Sequence, residues 1–319
     1  MKTELTEPKV IQKLKSNYTK TYAKNNIQLY IIMSPVIIFL FIFSYIPMYG
    51  VIIAFQDYLP GMPFLAFDGS VKWVGLKYIK EFMSSIYFSR LFSNTILLSL
   101  YNLVFGFWIP IVFALLLNEI KRQRYKKLIQ TASYMPYFIS SVVVAGMVLS
   151  FVNVDGIVNN IITFFGFSRQ SFNVNPNAFP VIYTITNIWK SFGWNAIIYM
   201  SSISSIDPTL YESAQLDGAN RIKQMRYITI PLIMPTVAVL LIFSIGGLLD
   251  TNSELILLLY NESVYRTADV IGTYVYRVGM LGGKFSYGTA IGLFTSIINF
   301  LLLSITNIIS KKISNFGLW

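Results

Sequence analysis

Apolar residues in this chain come in runs of about twenty or more, such as YIIMSPVIIFLFIFSYIPMYGVIIAF up to Phe55. A run of that length suits a helix crossing roughly 30 Å of hydrocarbon at about 1.5 Å per residue. Hydrocarbon offers the backbone no water, so each run must satisfy its own N–H and C=O groups as a helix. Only 12% of the 319 residues are charged and 55% are hydrophobic, about half the charged share of an ordinary soluble domain. The expected fold is all-α and polytopic, with six transmembrane helices at about 29–55, 95–117, 132–152, 179–203, 232–249 and 289–309. Pro47 and Gly50 loosen the outer end of the first. The aromatic-rich stretch 77–92 reads as a helix along the outer interface, with Trp73, Tyr78, Tyr87 and Phe88 in an aromatic belt. A tail at 1–28, a membrane domain at 29–310 and a tail at 311–319 complete the plan. The first run lacks a following small-residue cleavage site, so it reads as a retained span rather than a secretory signal.

Missing residue types narrow the chemistry. The chain has no cysteine and no histidine. Disulfides, zinc–thiolate sites, iron–sulfur clusters and thiol nucleophiles are excluded, and the commonest general base and metal ligand is absent. GMLGGKF, from Gly279 to Phe285, fails as a phosphate loop, because Val278 stands at the first glycine position and Phe285 at the Ser/Thr position. Asp250 follows Gly247-Leu-Leu, not the Gly-x-Gly-Asp of intramembrane aspartyl proteases. No catalytic, metal-ligating or cofactor-binding residue is expected.

The net charge of +11 belongs to topology rather than to nucleic acid. Sixteen lysines and arginines flank the spans on one side and eight on the other. The positive-inside rule then puts both termini and the loop after Ser204 in the cytoplasm.

That loop, SIDPTLYESAQLDGANRIKQMRYITIPLIMP from Ser205 to Pro235, is dense in helix punctuation. Asp207 can cap a helix with Pro208 at its first position, and Thr209 with Glu212 offers an alternative capping box. Gly218 supplies a left-handed terminator and Asn220 can start a second helix. Pro231 and Pro235 are expected to stop that second helix before the next apolar run. The local reading is helix, tight turn, helix.

Glu212-Ser213-Ala214, Asp217-Gly218-Ala219 and Ile230-Pro231 resemble the EAA…DGA…IP loop of ABC importer permeases, with Ser213 in place of the usual first alanine. Further matches to carbohydrate-type permeases are Tyr45 to Gly50, Asn118-Glu119, Met135-Pro136, Trp189-Lys190, Gly193-Trp194-Asn195 and Gly317-Leu318-Trp319. The resemblance implies that the loop docks on a separate ATPase subunit. Tyr211, Glu212, Ala214, Asp217, Gly218, Ala219 and Arg221 would be the coupling residues. It also implies a second permease subunit, two ATPases that carry the ATP and Mg, an extracellular sugar-binding lipoprotein and an oligosaccharide substrate. The setting would be the plasma membrane bilayer, with no cofactor in this chain and no nucleic acid.

Polar residues inside spans mark pathways, because burying them in hydrocarbon is costly. Asn187, Lys190, Trp194 and Asn195 sit at i, i+3, i+7 and i+8, so one helical face carries amides, an ammonium and an indole. That set suits the C–H faces and hydroxyl edges of a sugar. The plainer alternative has Lys190 snorkelling or bonding a neighbouring helix while Trp194 packs. Asp250 and Glu254, one turn apart with Asn252 between them, read either as an exposed helix end or as an outer vestibule. Asn153, Asp155 and Asn159 divide the same way. Gly288 and Gly292 form a GxxxG that permits close helix approach. Two alternatives stay open. A permease for amino acids or peptides would share the loop but lack the Trp189–Asn195 pattern. A membrane channel or enzyme would need a self-contained pore or a catalytic constellation.

Overall fold

A computed structural model of the chain describes residues 26–64, 71–314 and 316–319. The tail expected at 1–28 lies outside the described residues up to position 25. The described residues are helical apart from loops and one isolated bridge between Gln56 and Trp73. α1 spans Ile27–Phe55, passing through a π-turn at Phe41–Tyr45 and tightening after Pro47 into a 3₁₀ segment, Tyr49–Phe55. Then follow α2 (Lys77–Met83), α3 (Phe88–Asn118), α4 (Gln123–Phe138), α5 (Ser141–Phe151) and α6 (Ile157–Phe164). α7 covers Phe179–Ser204, α8 Pro208–Leu216 and α9 Arg221–Gly246. The chain closes with α10 (Ser253–Leu259), α11 (Tyr265–Ala268), α12 (Ile271–Tyr274), which continues as π-turns Val275–Leu281, and α13 (Phe285–Ser314).

Four of these helices, α1, α3, α9 and α13, are each long and apolar enough to cross a membrane. The segment expected as a single third span is a broken pair: α4 and α5 meet at 98°. Pro136 withholds an N–H from the last turn of α4, and Ile139 turns extended at ψ 133°. Ser140 then caps α5, its Oγ accepting from the Val143 N–H at 3.4 Å. α7 has 26 residues, about 39 Å of helix, but its amides, serines and Lys190 make it less apolar than those four. Of the six expected spans, four are long apolar helices, the third is an elbow and the fourth, α7, is a partly polar rod.

Two other expectations are corrected. Pro231 and Pro235 do not stop a helix; both lie inside α9. A π-turn at Met225–Thr229, where the Ile230 N–H reaches the Met225 carbonyl, offsets the ladder just where Pro231 has no hydrogen to give. The stretch 77–92 is not one interfacial helix either. It breaks between α2 and α3, and Phe82 is fully buried against Phe88, Phe294 and Tyr274, at ring distances of 5.2, 5.8 and 6.3 Å. Trp73 does stay exposed. Nearby, the Tyr78 hydroxyl donates to Asp57 Oδ1 at 2.6 Å, which holds the Asp57 carboxyl below its usual range. Burial and that same bond push Tyr78 up to about 12.

Between helices in hydrocarbon, exclusion of water gives no drive, so close approach and internal polar pairs decide the packing. One cluster joins Leu117 of α3, Ile203 of α7 and Ile233 of α9; a second joins Leu98, Ala145, Tyr183 and Ile256; a third joins Phe82, Leu91, Ile271 and Ile291. At Gly193 of α7 a Cβ would collide with the Ser133 carbonyl oxygen of α4. At the chain's end, the Leu318 N–H folds back to Asn307 Oδ1 at 2.7 Å.

The strongest polar tie is Asp269, whose side chain is fully buried. Its carboxylate takes Arg90 at 3.1 Å and Arg277 at 2.8 Å, plus the Thr273 hydroxyl at 2.9 Å. Asn94 donates to the Asp269 carbonyl at 2.9 Å. Together they lock α3 to the α11–α12 segment. Removing one partner of a buried ion cluster costs more than the cluster contributes, because charges are left unmatched. Asp269→Asn should therefore lower the melting temperature of the purified protein, with a loss of about 3 kcal/mol. The triple change Arg90→Met, Asp269→Leu, Arg277→Met should lose less than Asp269→Asn alone.

Candidate functional site

The 205–235 loop takes its shape from local hydrogen bonds. Asp207 caps α8, accepting the Thr209 N–H at 2.9 Å, and that bond holds its carboxyl below the usual range. The aspartate, not the Thr209–Glu212 box, starts the helix. At the other end Gly218 adopts φ +76°. The Ala219 N–H reaches the Ala214 carbonyl at 2.8 Å and the Gly218 N–H reaches that of Gln215 at 3.0 Å, the paired closure of a glycine-terminated helix. Asn220 Oδ1 accepts the Lys223 N–H at 2.9 Å and opens α9.

The loop is also fastened to its own chain. The Tyr211 hydroxyl lies 2.9 Å from Thr229 Oγ1, and Arg221 reaches the Glu119 carboxylate at 3.7 Å. Tyr211 and Arg221 thus hold α8 and α9 to the bundle, whereas Glu212, Asp217 and Gly218 face outward and Ala214 and Ala219 are half-buried. Two residues absent from the expected set stand out beside the turn: Leu216 is 90% exposed and Ile222 74%. Their signal in the sequence was an apolar side chain inside a polar, capped loop.

The second candidate region surrounds α7. The expected quartet does not share one surface. Asn187 donates to Asn102 of α3 at 2.9 Å and accepts from Asn252 Nδ2 at 3.1 Å. Asn252 in turn caps α10, accepting the Leu255 N–H at 3.2 Å. This chain of amides borders a cavity of about 480 Å³ between α3, α7 and the end of α9, lined also by Tyr183, Asn195 and Asp250. Lys190 instead donates to Ser141 Oγ of α5 at 2.7 Å. Trp194 stacks on Tyr137 of α4 at 4.6 Å and 3°, with Phe138 edge-on at 5.6 Å. At about 100° per residue the four positions cover roughly 140° of helix surface, enough for two neighbours to divide.

Asp250 and Glu254 are also separated. α9 ends at Gly246 and α10 begins at Ser253, so Asp250 sits in the break and lines the cavity. Glu254 stays exposed in the first turn of α10, where a carboxylate suits the helix dipole. Asn159 is a buried peg, donating to the carbonyls of Asn153 and Gln170 at 2.8 and 2.9 Å. Asp155 makes an exposed pair with Arg169 at 3.0 Å. Gly288 packs on Gly279 of its own chain while Gly292 faces open space, so half of the GxxxG is used internally.

Residues 106–315 match the family model described as the binding-protein-dependent transport system inner membrane component. The chain belongs to this family. The Bacillus subtilis (strain 168) polygalacturonan/rhamnogalacturonan transport system permease protein YteP is 40% identical over 292 residues, covering 91% of this chain and 90% of that protein. Protein LplB of the same organism is 39% identical over a similar span, with 91% of each chain covered. A chain in the crystal structure of a bacterial ABC transporter involved in the import of the acidic polysaccharide alginate is 39% identical. It superposes with a TM-score of 0.82, over 93% of this chain and 99% of that one. As a family member the chain is an all-α, multi-pass membrane component of a transport system, and not an enzyme. The 205–235 loop lies within the matched stretch.

The amide chain can be tested directly. Asn187→Ala should destabilise the protein by about 1 kcal/mol, leaving Asn102 and Asn252 without their shared partner. In a double-mutant cycle read by thermal melting, Asn102→Ala with Asn187→Ala should cost less than the sum of the single changes.

Proposed function

We propose that this chain is the transmembrane permease subunit of an ATP-driven importer for an oligosaccharide delivered by an extracellular binding protein. The observation that carries the coupling part is the glycine-closed turn at Gly218, flanked by exposed Leu216 and Ile222. Apolar side chains held out beside a rigid turn, Leu216 at the end of α8 and Ile222 in the first, polar turn of α9, fit insertion into a groove on another protein. The excess of positive charge on that side supports a cytoplasmic owner for the groove. The substrate part is supported by relatives named for oligosaccharide or polysaccharide transport and by the amide-lined cavity along α7.

Glu212, Leu216, Asp217 and Ile222 make the outward contacts. Gly218 fixes the turn, while Tyr211 and Arg221 carry its displacement into α9 and α3. Two ATPase subunits hold ATP and Mg, and a second permease completes the pathway. Closure of the ATPase dimer moves α8, and the helices attached to it reorient the cavity toward the outside. Coupling of this kind requires the ATPase to bind the two states of the permease unequally.

Gly218→Pro and Glu212→Arg should each abolish sugar uptake by reconstituted transporter while leaving membrane insertion and binding-protein affinity intact. Leu216→Asp should release the ATPase on co-purification. Normal uptake by all three variants would refute the assignment. Trp194→Ala should slow uptake with the ATPase still bound; dissociation of the complex instead would make its stack on Tyr137 structural alone.

A further inference from the structure

We infer that Asp250 makes the α3–α7–α9 cavity selective for an uncharged sugar unit and against a uronate, an inference that rests on the oligosaccharide reading above. Among the residues lining the cavity Asp250 alone carries a formal charge. Asp250 is open to the cavity in part, its carboxylate takes a hydrogen bond from the Asn299 side chain of α13, and no described lysine or arginine lies within ion-pairing distance of it. The cation of α7, Lys190, is turned to Ser141 on the far side. The carboxylate also sits just past the C-terminal end of α9, where the helix dipole adds negative potential. The remaining polar wall is amide and hydroxyl: Asn102, Asn187, Asn195 and Asn252 with Tyr183. Asn195 is exposed and makes no hydrogen bond among the described residues.

A carboxylate accepts hydrogen bonds and donates none, so it suits the hydroxyls of a neutral pyranose, while amides supply both donors and acceptors. The volume falls in the range of small-molecule sites. A uronate in the same space would set a second carboxylate against Asp250 with no cation between them. The solved relative belongs to a transporter that imports an acidic polysaccharide, and YteP is named for polygalacturonan, so the preference inferred for this chain stands apart from the substrates those names give.

The test uses the complete permease–ATPase complex in nanodiscs without the binding protein, so that the permease's own preference is read. α-1,4-Galactotetraose and tetragalacturonate, which differ only at C6, are titrated by calorimetry. The wild type should bind the neutral sugar about tenfold more tightly, with a ratio that shrinks as salt rises. Asp250→Asn should bring the two affinities together, and Asp250→Ser serves as a second variant should the first fail to assemble with the ATPases. Equal affinities in the wild type, or a ratio unchanged in both variants, would overturn the inference and leave oligosaccharide import standing. If neither sugar binds, the oligosaccharide reading falls with it.

Discussion

Every peptide group in this chain that sits in hydrocarbon needs a partner from the protein itself. Long helices meet the demand by default, and their interruptions show where the architecture departs from it. Each break carries its own substitute. Ser140 caps α5 at the elbow, Asn252 caps α10 after α9 ends, and the π-turn ahead of Pro231 keeps α9 continuous. The two capped breaks border the two sides of α7, one beside Lys190 and Trp194, the other beside the amide-lined cavity. Irregular backbone at membrane depth is found where it lines something.

The polar groups divide into those that fasten and those left available. Asp269 is saturated by two guanidiniums and a hydroxyl, and so fixes the geometry of α3 against α11–α12. Asp250 is chemically the same group in a different position, bonded among the described residues only by the Asn299 amide and bordering the cavity at the end of α9. The same division runs through the 205–235 loop. Tyr211 and Arg221 are engaged with Thr229 and Glu119, while Leu216 and Ile222 stand exposed among the described residues.

Features set by residues three or four apart were legible in the sequence. Asp207, Gly218 and Asn220 play the roles their local chemistry requires, and the all-α, multi-pass class follows from the length of the apolar runs. What was illegible depends on distant neighbours. The quartet on α7 is correctly a polar face, but its division between α3 and the elbow is decided by Asn102 and Ser141. Those residues lie 85 and 49 positions away in sequence. The third span reads as one run because hydropathy carries no information on bending. Asp250 and Glu254 read as neighbours on one helix because paired glycines at 246 and 247 do not announce a break. Prolines 231 and 235 mislead for the opposite reason, since a widened turn upstream absorbs what a regular helix could not.

That widened turn makes α9 a single screw of 26 residues, running from the Gly218 corner to the cavity, with one supernumerary residue in its thread. Its rotational phase is thereby set: the face that Arg221 and Ile222 present below is keyed to the face that Leu240 and Phe243 present above. Any change in the length of Met225–Thr229 by one position would twist one end against the other by about 100°, so this short piece tolerates substitution far better than insertion or loss.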